Sequence, residues 1–298
     1  MEAPGTELAV VILAAGEGTR MHSDLNKVLH EIAGRPMLGY PLAAAETLAP
    51  QHLVVVIGCD AEQVEERFRG RARFVTQSER RGTGHAALQA LPALSGFSGD
   101  VLILYGDTPL LRPETLRRMR ALKAERRADL VLLSARLDLP GRLVRDTSGR
   151  VTRIVEVTDA SPEELAIDEG NTGVYLLDAE LLAQNLAQLD DHNQQGELYL
   201  TDIVSLAVGQ GMAVEALLLD DAEEALGVNS RAELARAAAV MRGLTSERLM
   251  AEGVTIVDPD STYIDTDVEI GRDSRIDPGV VITGPSRLGE RVHVKPHC

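Results

Sequence analysis

Thiols are scarce in this 298-residue chain, long apolar runs and an excess of basic charge are missing, and each shortage removes a class of protein. Cys59 and Cys298 are the only cysteines and form no C-x-x-C pair, so neither a disulfide framework nor a thiolate zinc site is indicated; a reducing cytoplasm fits. The opening MEAPGTELAV lacks a basic region followed by an apolar one, and the apolar run Leu8 to Ala15 is too short for a bilayer, so neither export nor membrane insertion is expected. With 30 Lys and Arg against 46 Asp and Glu, a net charge of -16, an extended footprint on nucleic acid or anionic lipid is not expected either. Any phosphate must be held by a local constellation. No Ser-His-Asp spacing, H-E-x-x-H or G-x-S-x-G appears, which leaves hydrolase chemistry without support.

What is present is the composition of a folded protein, 44% hydrophobic with 26 Gly and 13 Pro, and of a length that suits one large domain plus a smaller one. From residue 9 to about 135, short apolar runs (AVVIL, LVVVIG, ARFV, VLILYGD, DLVLLSA) alternate with helical stretches (PMLGYPLAAAETLA, AEQVEERF, GHAALQALPAL, PETLRRMRALKAERR). That alternation predicts an α/β domain with a mainly parallel sheet covered on both faces. Beyond Gly141, GRVTRIVEV and VYLLD read as further strands, and SPEE as a helix start with Ser161 at the N-cap and Pro162 at the first helical position. Residues 230–252 carry Ala, Leu and Met at helical spacing, as one amphipathic helix.

The last segment differs in kind. Ile264, Ile270, Ile276, Ile282, Leu288 and Val294 recur every six residues, and two positions before each stands Thr262, Val268, Ser274, Val280, Ser286 or Val292. A hexapeptide period with small or aliphatic inward residues is the signature of a parallel β-helix using three hexads per coil; about two coils are present.

Three stretches offer chemistry. In VVILAAGEGTRMHSDLNKVLH, a strand runs into a Gly16-Glu17-Gly18 loop followed by Arg20 and Lys27. Met21 stands where a dinucleotide fingerprint needs glycine and no P-loop Lys-Ser/Thr follows, which disfavours a dehydrogenase; the loop serves as an anion-binding nest or as an ordinary β-to-α turn. Asp107, just past VLILYG, sits at the carboxyl edge of a strand, where it suits Mg²⁺ or caps a turn before Pro109. In RGTGHAA, Gly82 and Gly84 flank Thr83, so the backbone can pass close to a ring or phosphate, or Thr83 is the helix N-cap. His85 reads as structural, and Arg117, Arg118, Arg120, Lys123, Arg126 and Arg127 as a solvated helix face. Glu156, Asn171 and Asn229 are candidates for holding a polar substrate.

LAAGEGTRM (13–21), SDLNKVLH (23–30), Gln77 followed by GTGHA (82–86), LYGDTPL (104–110), Gly141-Arg142 with IVE (154–156), NTG (171–173), QGELYLTDI (195–203) and GVN (227–229) accumulate along nearly the whole chain. Together they resemble the family of bacterial bifunctional uridylyltransferase/acetyltransferases that make UDP-N-acetylglucosamine for cell-wall and lipopolysaccharide synthesis; LAAGxGTRM alone marks the wider sugar nucleotidyltransferases. Asn26 stands where that family usually has Pro, Arg80-Arg81 where it has Gln-Leu, Pro140 where it has Tyr, and the family's Lys near Thr158 is missing.

The resemblance implies a Rossmann-like nucleotidyltransferase domain over 1–229, a linker helix over 230–252 and the first coils of a left-handed β-helix over 253–298. It implies nucleotide contacts at Leu13, Ala14, Ala15, Gly16, Gly18, Lys27, Gln77, Gly82, Thr83, Tyr105, Gly106 and Asp107, with Gln77 and the Gly82 backbone reading uracil. Gly141, Glu156, Asn171, Tyr199, Thr201 and Asn229 would hold the sugar, Asp107 and Asn229 would bind Mg²⁺, and Arg20 and Lys27 would act in catalysis. The implied reaction joins UTP and N-acetylglucosamine 1-phosphate, with release of pyrophosphate, in a cytoplasmic protein that trimerises through its β-helix. Acetyl transfer is expected to be absent from a chain with so few coils. Another sugar-1-phosphate nucleotidyltransferase, or a catalytically silent nucleotide-sensing subunit of the same fold, are the alternatives.

Overall fold

A computed structural model describes residues 7–59 and 61–298. In chain order the elements are β1 (Leu8–Ala14), β2 (Glu31–Ile32), β3 (Arg35–Pro36), α1 (Gly39–Glu46), β4 (His52–Gly58), α2 (Glu62–Arg67), β5 (Arg73–Gln77), α3 (Thr83–Ala90), β6 (Asp100–Tyr105), α4 (Pro113–Arg126) and β7 (Leu130–Ala135). There follow β8 (Gly141–Arg145), β9 (Val151–Glu156), α5 (Pro162–Leu165), β10 (Gly170–Asp178), α6 (Ala179–Leu186), α7 (Asp202–Gly209), β11 (Val214–Leu218) and α8 (Arg231–Ala251). The chain closes with β12 (Thr255–Ile256), β13 (Tyr263–Ile264), β14 (Glu269–Ile270), β15 (Arg275–Ile276), β16 (Val281–Ile282), β17 (Arg287–Leu288) and β18 (His293–Val294). Two compact units emerge: Met1–Glu17 with Tyr40–Leu226, and Gly18–Gly39 with Gly227–Cys298. No helix among the described residues is long and apolar enough to cross a membrane.

The first unit is the expected α/β body. Its sheet runs β11-β7-β10-β6-β1-β4-β5, with β8 and β9 added beside β10. The continuous apolar runs become buried strands, β1 and β7 at every position, because helices cover both faces and no residue can be left facing water. Parallel pairing joins β1 to β4 and β6, β4 to β5, and β7 to β11. β10 lies between β6 and β7 and is antiparallel to both, then receives β8 and β9 as an antiparallel extension. Ser161 caps α5 in a capping box with Glu164, as its sequence predicts.

Two readings need correction here. The helical stretch read from Pro36 forms α1 only from Gly39, because Pro36 pairs with Glu31 in the β2–β3 hairpin. Nor is the basic face of α4 wholly solvated: Lys123, with a side chain only 12% exposed, bridges Asp100 at 2.9 Å and Asp178 at 3.1 Å. Its long stem carries the ammonium to carboxylates at the far end of the sheet.

In the second unit, the hexads stack as the spacing predicts. Tyr263 pairs with Val281, Glu269 with Arg287 and Arg275 with His293, each eighteen residues on, which is three hexads per coil. Ile264, Ile270 and Ile276 are buried inward together with Val268 and Val280, and Leu249 of α8 covers them. Buried Ser274 is satisfied within the stack: its hydroxyl donates to Gly289 O and accepts from Val292 N. The β2–β3 hairpin docks on the turn between β13 and β14, where Thr266 N donates to Ala33 O and Arg35 pairs with Asp267.

Candidate active site

The first unit gathers its candidate nucleotide residues at the carboxyl ends of β1, β5 and β6, the edge where open α/β sheets take ligands. Leu13, Ala14 and Ala15 are buried at the end of β1, and Leu13 O accepts from Gly106 N at 2.9 Å, tying the Asp107 loop to the glycine loop. Gly16 is exposed, and a Cβ built on it would meet nothing within 4 Å. No neighbour demands glycine at that position, so the loop is open to close approach by a ligand. Asp107 is half-buried.

Gly82 and Gly84 are explained differently. A Cβ on Gly82, whose φ is +98°, would lie 2.6 Å from Leu198 O, and one on Gly84 would lie 2.9 Å from the same oxygen. Leu198 O also accepts from Gly84 N at 2.8 Å, so these glycines admit the 197–200 segment. Gly82 is the N-cap of α3 and Thr83 its first helical residue, which corrects the reading of Thr83 as N-cap. The Thr83 hydroxyl instead accepts from Leu200 N at 3.1 Å and faces the Tyr105 hydroxyl, whose pKa is raised by burial. Buried Gln77 donates from Nε2 to Gly82 O at 3.2 Å and lies 3.0 Å from His85 Nδ1, so His85 supports Gln77.

Of the candidate sugar residues, Gly141, Glu156 and Asn171 meet across three antiparallel strands. Gly141 pairs with Glu156 on one side and Asn171 on the other. A Cβ on Gly141 would lie 2.9 Å from Ile154 Cγ2, 3.4 Å from Asn171 Cβ and 3.7 Å from Glu156 Oε1, so glycine there lets these three side chains close in on its Cα. Thr201, at the N-cap of α7, donates to Glu156 Oε1 at 3.1 Å. Burial raises the Glu156 pKa, and Asp202 and Asp159 raise it further, against the Thr201 bond. Tyr199 Oη donates to Asp159 Oδ2 at 3.3 Å. Asn171 Nδ2 donates to Tyr175 Oη at 2.7 Å, and its Oδ1, fully buried, has no partner.

The second unit holds Gly18, Arg20, Lys27 and Asn229. Gly18, at φ +66°, precedes a short 3-10 turn over Thr19–Met21, on which Arg20 is exposed. Lys27 is buried, its stem lies over Gly18, and its Nζ donates to Asn229 Oδ1. Asn229 is held in turn by the start of α8: its N–H donates to Glu233 Oε2 at 2.8 Å, beside the Ser230 N-cap. Burial opposes the Glu233 charge, but the bonds from Asn229 and Ser230 outweigh it and hold the carboxyl below its usual range.

Among the described residues no cluster of three or more His, Cys, Asp or Glu is placed to hold a metal. Asp107 and Asn229 are nonetheless hard oxygen donors of the kind Mg²⁺ takes, since that ion completes its shell with water and substrate phosphates. Each of the two offers such an oxygen, and that of Asn229 also accepts from Lys27 Nζ.

Sequence reasoning missed two groups. Arg80 pairs with Glu17 of the glycine loop, which brings a guanidinium there; Tyr175 reads only as part of the strand VYLLD, and nothing in the local pattern marks it otherwise.

A model of the MobA-like NTP transferase domain matches residues 10–201, and the chain belongs to that family. More narrowly, it is similar to bifunctional protein GlmU of Trichlorobacter lovleyi, 51% identical over 286 residues, which cover 94% of this chain and 62% of the relative. The same-named proteins of Pelobacter propionicus (47% identical; 97% and 64% covered) and Streptococcus suis (44%; 94% and 62%) are also similar. The chain thus spans less than two thirds of the length of these relatives. The resemblance read from its motifs is borne out.

Proposed function

We propose that this chain transfers the uridylyl group of UTP to N-acetylglucosamine 1-phosphate, giving UDP-N-acetylglucosamine and pyrophosphate. The observation that carries the reading is the convergence of Glu156, Asn171 and Thr201 around the bare Cα of Gly141, an acceptor-lined floor suited to the hydroxyls and N–H of a hexosamine. It accompanies a glycine loop open to close approach in a chain of the NTP transferase family.

The sugar 1-phosphate oxygen attacks the α-phosphorus of UTP in line, a bond to the pyrophosphate oxygen breaks, and pyrophosphate leaves. Such transfers ask the protein for positioning and charge stabilisation rather than covalent chemistry. The 14–18 amides cradle phosphate, Arg20 and Lys27 counter its negative charge, Gln77 and the Gly82 backbone read the base, and Gly141, Glu156, Asn171, Tyr199, Thr201 and Asn229 grip the sugar. By the resemblance, Asp107 and Asn229 would each offer an oxygen to Mg²⁺, which would supply further charge neutralisation on the phosphates. The functional division follows residues 1–229, 230–252 and 253–298, with the hexad coils as the trimerisation element and the cytoplasm, where UTP is found, as the compartment.

Pyrophosphate release tests this. UTP with N-acetylglucosamine 1-phosphate and Mg²⁺ should release it, and dTTP, GTP or glucose 1-phosphate should do so poorly. A preference for another base or hexose refutes the substrate assignment, and no release with any pair refutes the enzyme. Asp107→Ala should lose turnover in limiting Mg²⁺; near-normal turnover there refutes its metal role.

A further inference from the structure

Asn171 and Tyr175 are four residues apart on β10, yet their side chains are 2.7 Å apart. In a regular strand, rising roughly 3.3 Å per residue, positions i and i+4 stand about 13 Å apart and their side chains do not meet. The strand is not regular here. Its register with β7 shifts between Asn171 and Tyr175, and Gly173 takes φ +83°. Thr172 pins the kink by donating to Leu133 O and accepting from Val174 N. Only glycine fits at 173, since a Cβ there would lie 2.5 Å from the Tyr105 ring.

The kink puts a fully buried phenol against a 93% buried amide whose oxygen has no partner. An amide beside a hydroxyl has two orientations, because the hydroxyl either accepts from Nδ2 or donates to Oδ1. Here the negative charges of Glu156 and Asp202 act on the Tyr175 oxygen. They draw the positive end of the O–H dipole toward themselves and leave an oxygen lone pair for Nδ2. Asn171 Oδ1 is then the unpartnered end of the amide, a buried acceptor near Gly141 and Glu156, and such an acceptor is costly to leave unpaired.

We propose that Tyr175 is a positioning residue: through the kink at Gly173 it holds the Asn171 amide with its oxygen turned toward a hydrogen-bond donor on the sugar phosphate. This rests on the sugar-binding reading of Asn171 above and adds the residue that sets its polarity. Substrates are selected for a donor, N–H or O–H, at that point.

Tyr175→Phe keeps the ring and removes the hydroxyl, freeing the amide to turn over. The KM for N-acetylglucosamine 1-phosphate should rise about tenfold, the worth of one hydrogen bond, with the KM for UTP and the Tm nearly unchanged. An active variant with an unchanged sugar-phosphate KM overturns the proposal, as does an equal rise in both KM values, which marks a merely structural role. Wild-type protein that turns over UTP with another sugar phosphate, but not with N-acetylglucosamine 1-phosphate, overturns the functional reading instead. Should the variant not fold, wild-type protein labelled at asparagine carries the test. Its Asn171 side-chain N–H protons should exchange slowly with and without N-acetylglucosamine 1-phosphate, and its carbonyl carbon should shift on binding. Fast exchange in the free protein overturns the proposal.

Discussion

Lys27 Nζ donates a 2.8 Å hydrogen bond to Asn229 Oδ1 across 202 residues of sequence. Lys27 is 7% exposed, so its charge sits in a fixed place rather than on a mobile surface arm. Removing one preorganised charge donor from a transition state costs on the order of 10²-fold in rate. Lys27→Ala should therefore lower kcat by about 10²-fold at saturating UTP with a small change in KM, read by steady-state pyrophosphate release. An unchanged kcat would leave Lys27 with only a structural role.

Gly82→Ala tests whether the GTGHA turn is built for the protein's own packing. The substitution forces a side chain at φ +98° into Leu198 O, 2.6 Å away, with Glu197 Cβ 2.9 Å away. A loss of at least ~2 kcal/mol of stability is expected, since the Leu198 backbone cannot yield cheaply. Urea unfolding of wild type and variant measures it.

Asn26 is where the resembling family has proline. Its φ of -54° lies within the range proline imposes, and its side chain accepts from Val28 N at 3.2 Å as a cap. Asn26→Pro should stabilise by about 0.4–1 kcal/mol through the unfolded chain and lose about 1 kcal/mol with the cap. The two nearly cancel, so thermal unfolding and turnover should both stay close to wild type.

Glu156→Gln should trade binding for stability. Burial raises the folded pKa of Glu156 above its unfolded value, so its contribution is fully present below the unfolded pKa and lost as pH rises through the folded one. The Gln oxygen keeps the Thr201 bond without the buried charge. The Tm of the variant should exceed wild type at pH 8 and match it near pH 4, while sugar-phosphate affinity at pH 8 falls, as thermal melts and titration calorimetry will show.

Most of the α/β body was legible because β1, β4, β6 and β7 are unbroken apolar runs, and the β-helix because its aliphatics recur every six residues. The insertion of β10 antiparallel between β6 and β7 was not legible, since strand order depends on where distant segments dock and leaves no local period. The Lys123 bridge to Asp100 was hidden for the same reason: a lysine on a polar helix looks alike whether it meets water or a carboxylate across the sheet. Among the site residues, Gly141 and Asn171 could be named by resemblance, but Tyr175 depends on a kink that only coordinates display.

The pairing of Gly18–Gly39 with Gly227–Cys298 sets an order of events as the protein is made. Lys27 leaves the ribosome early, but the groups that fix it, Asn229 and the α8 cap, follow some 200 residues later. Through most of synthesis the strands of the first unit can already pair while Lys27 still lacks Asn229. Lys27 is seated only once the strands of the first unit have been made, so a half-made chain carries the sheet without its fixed lysine.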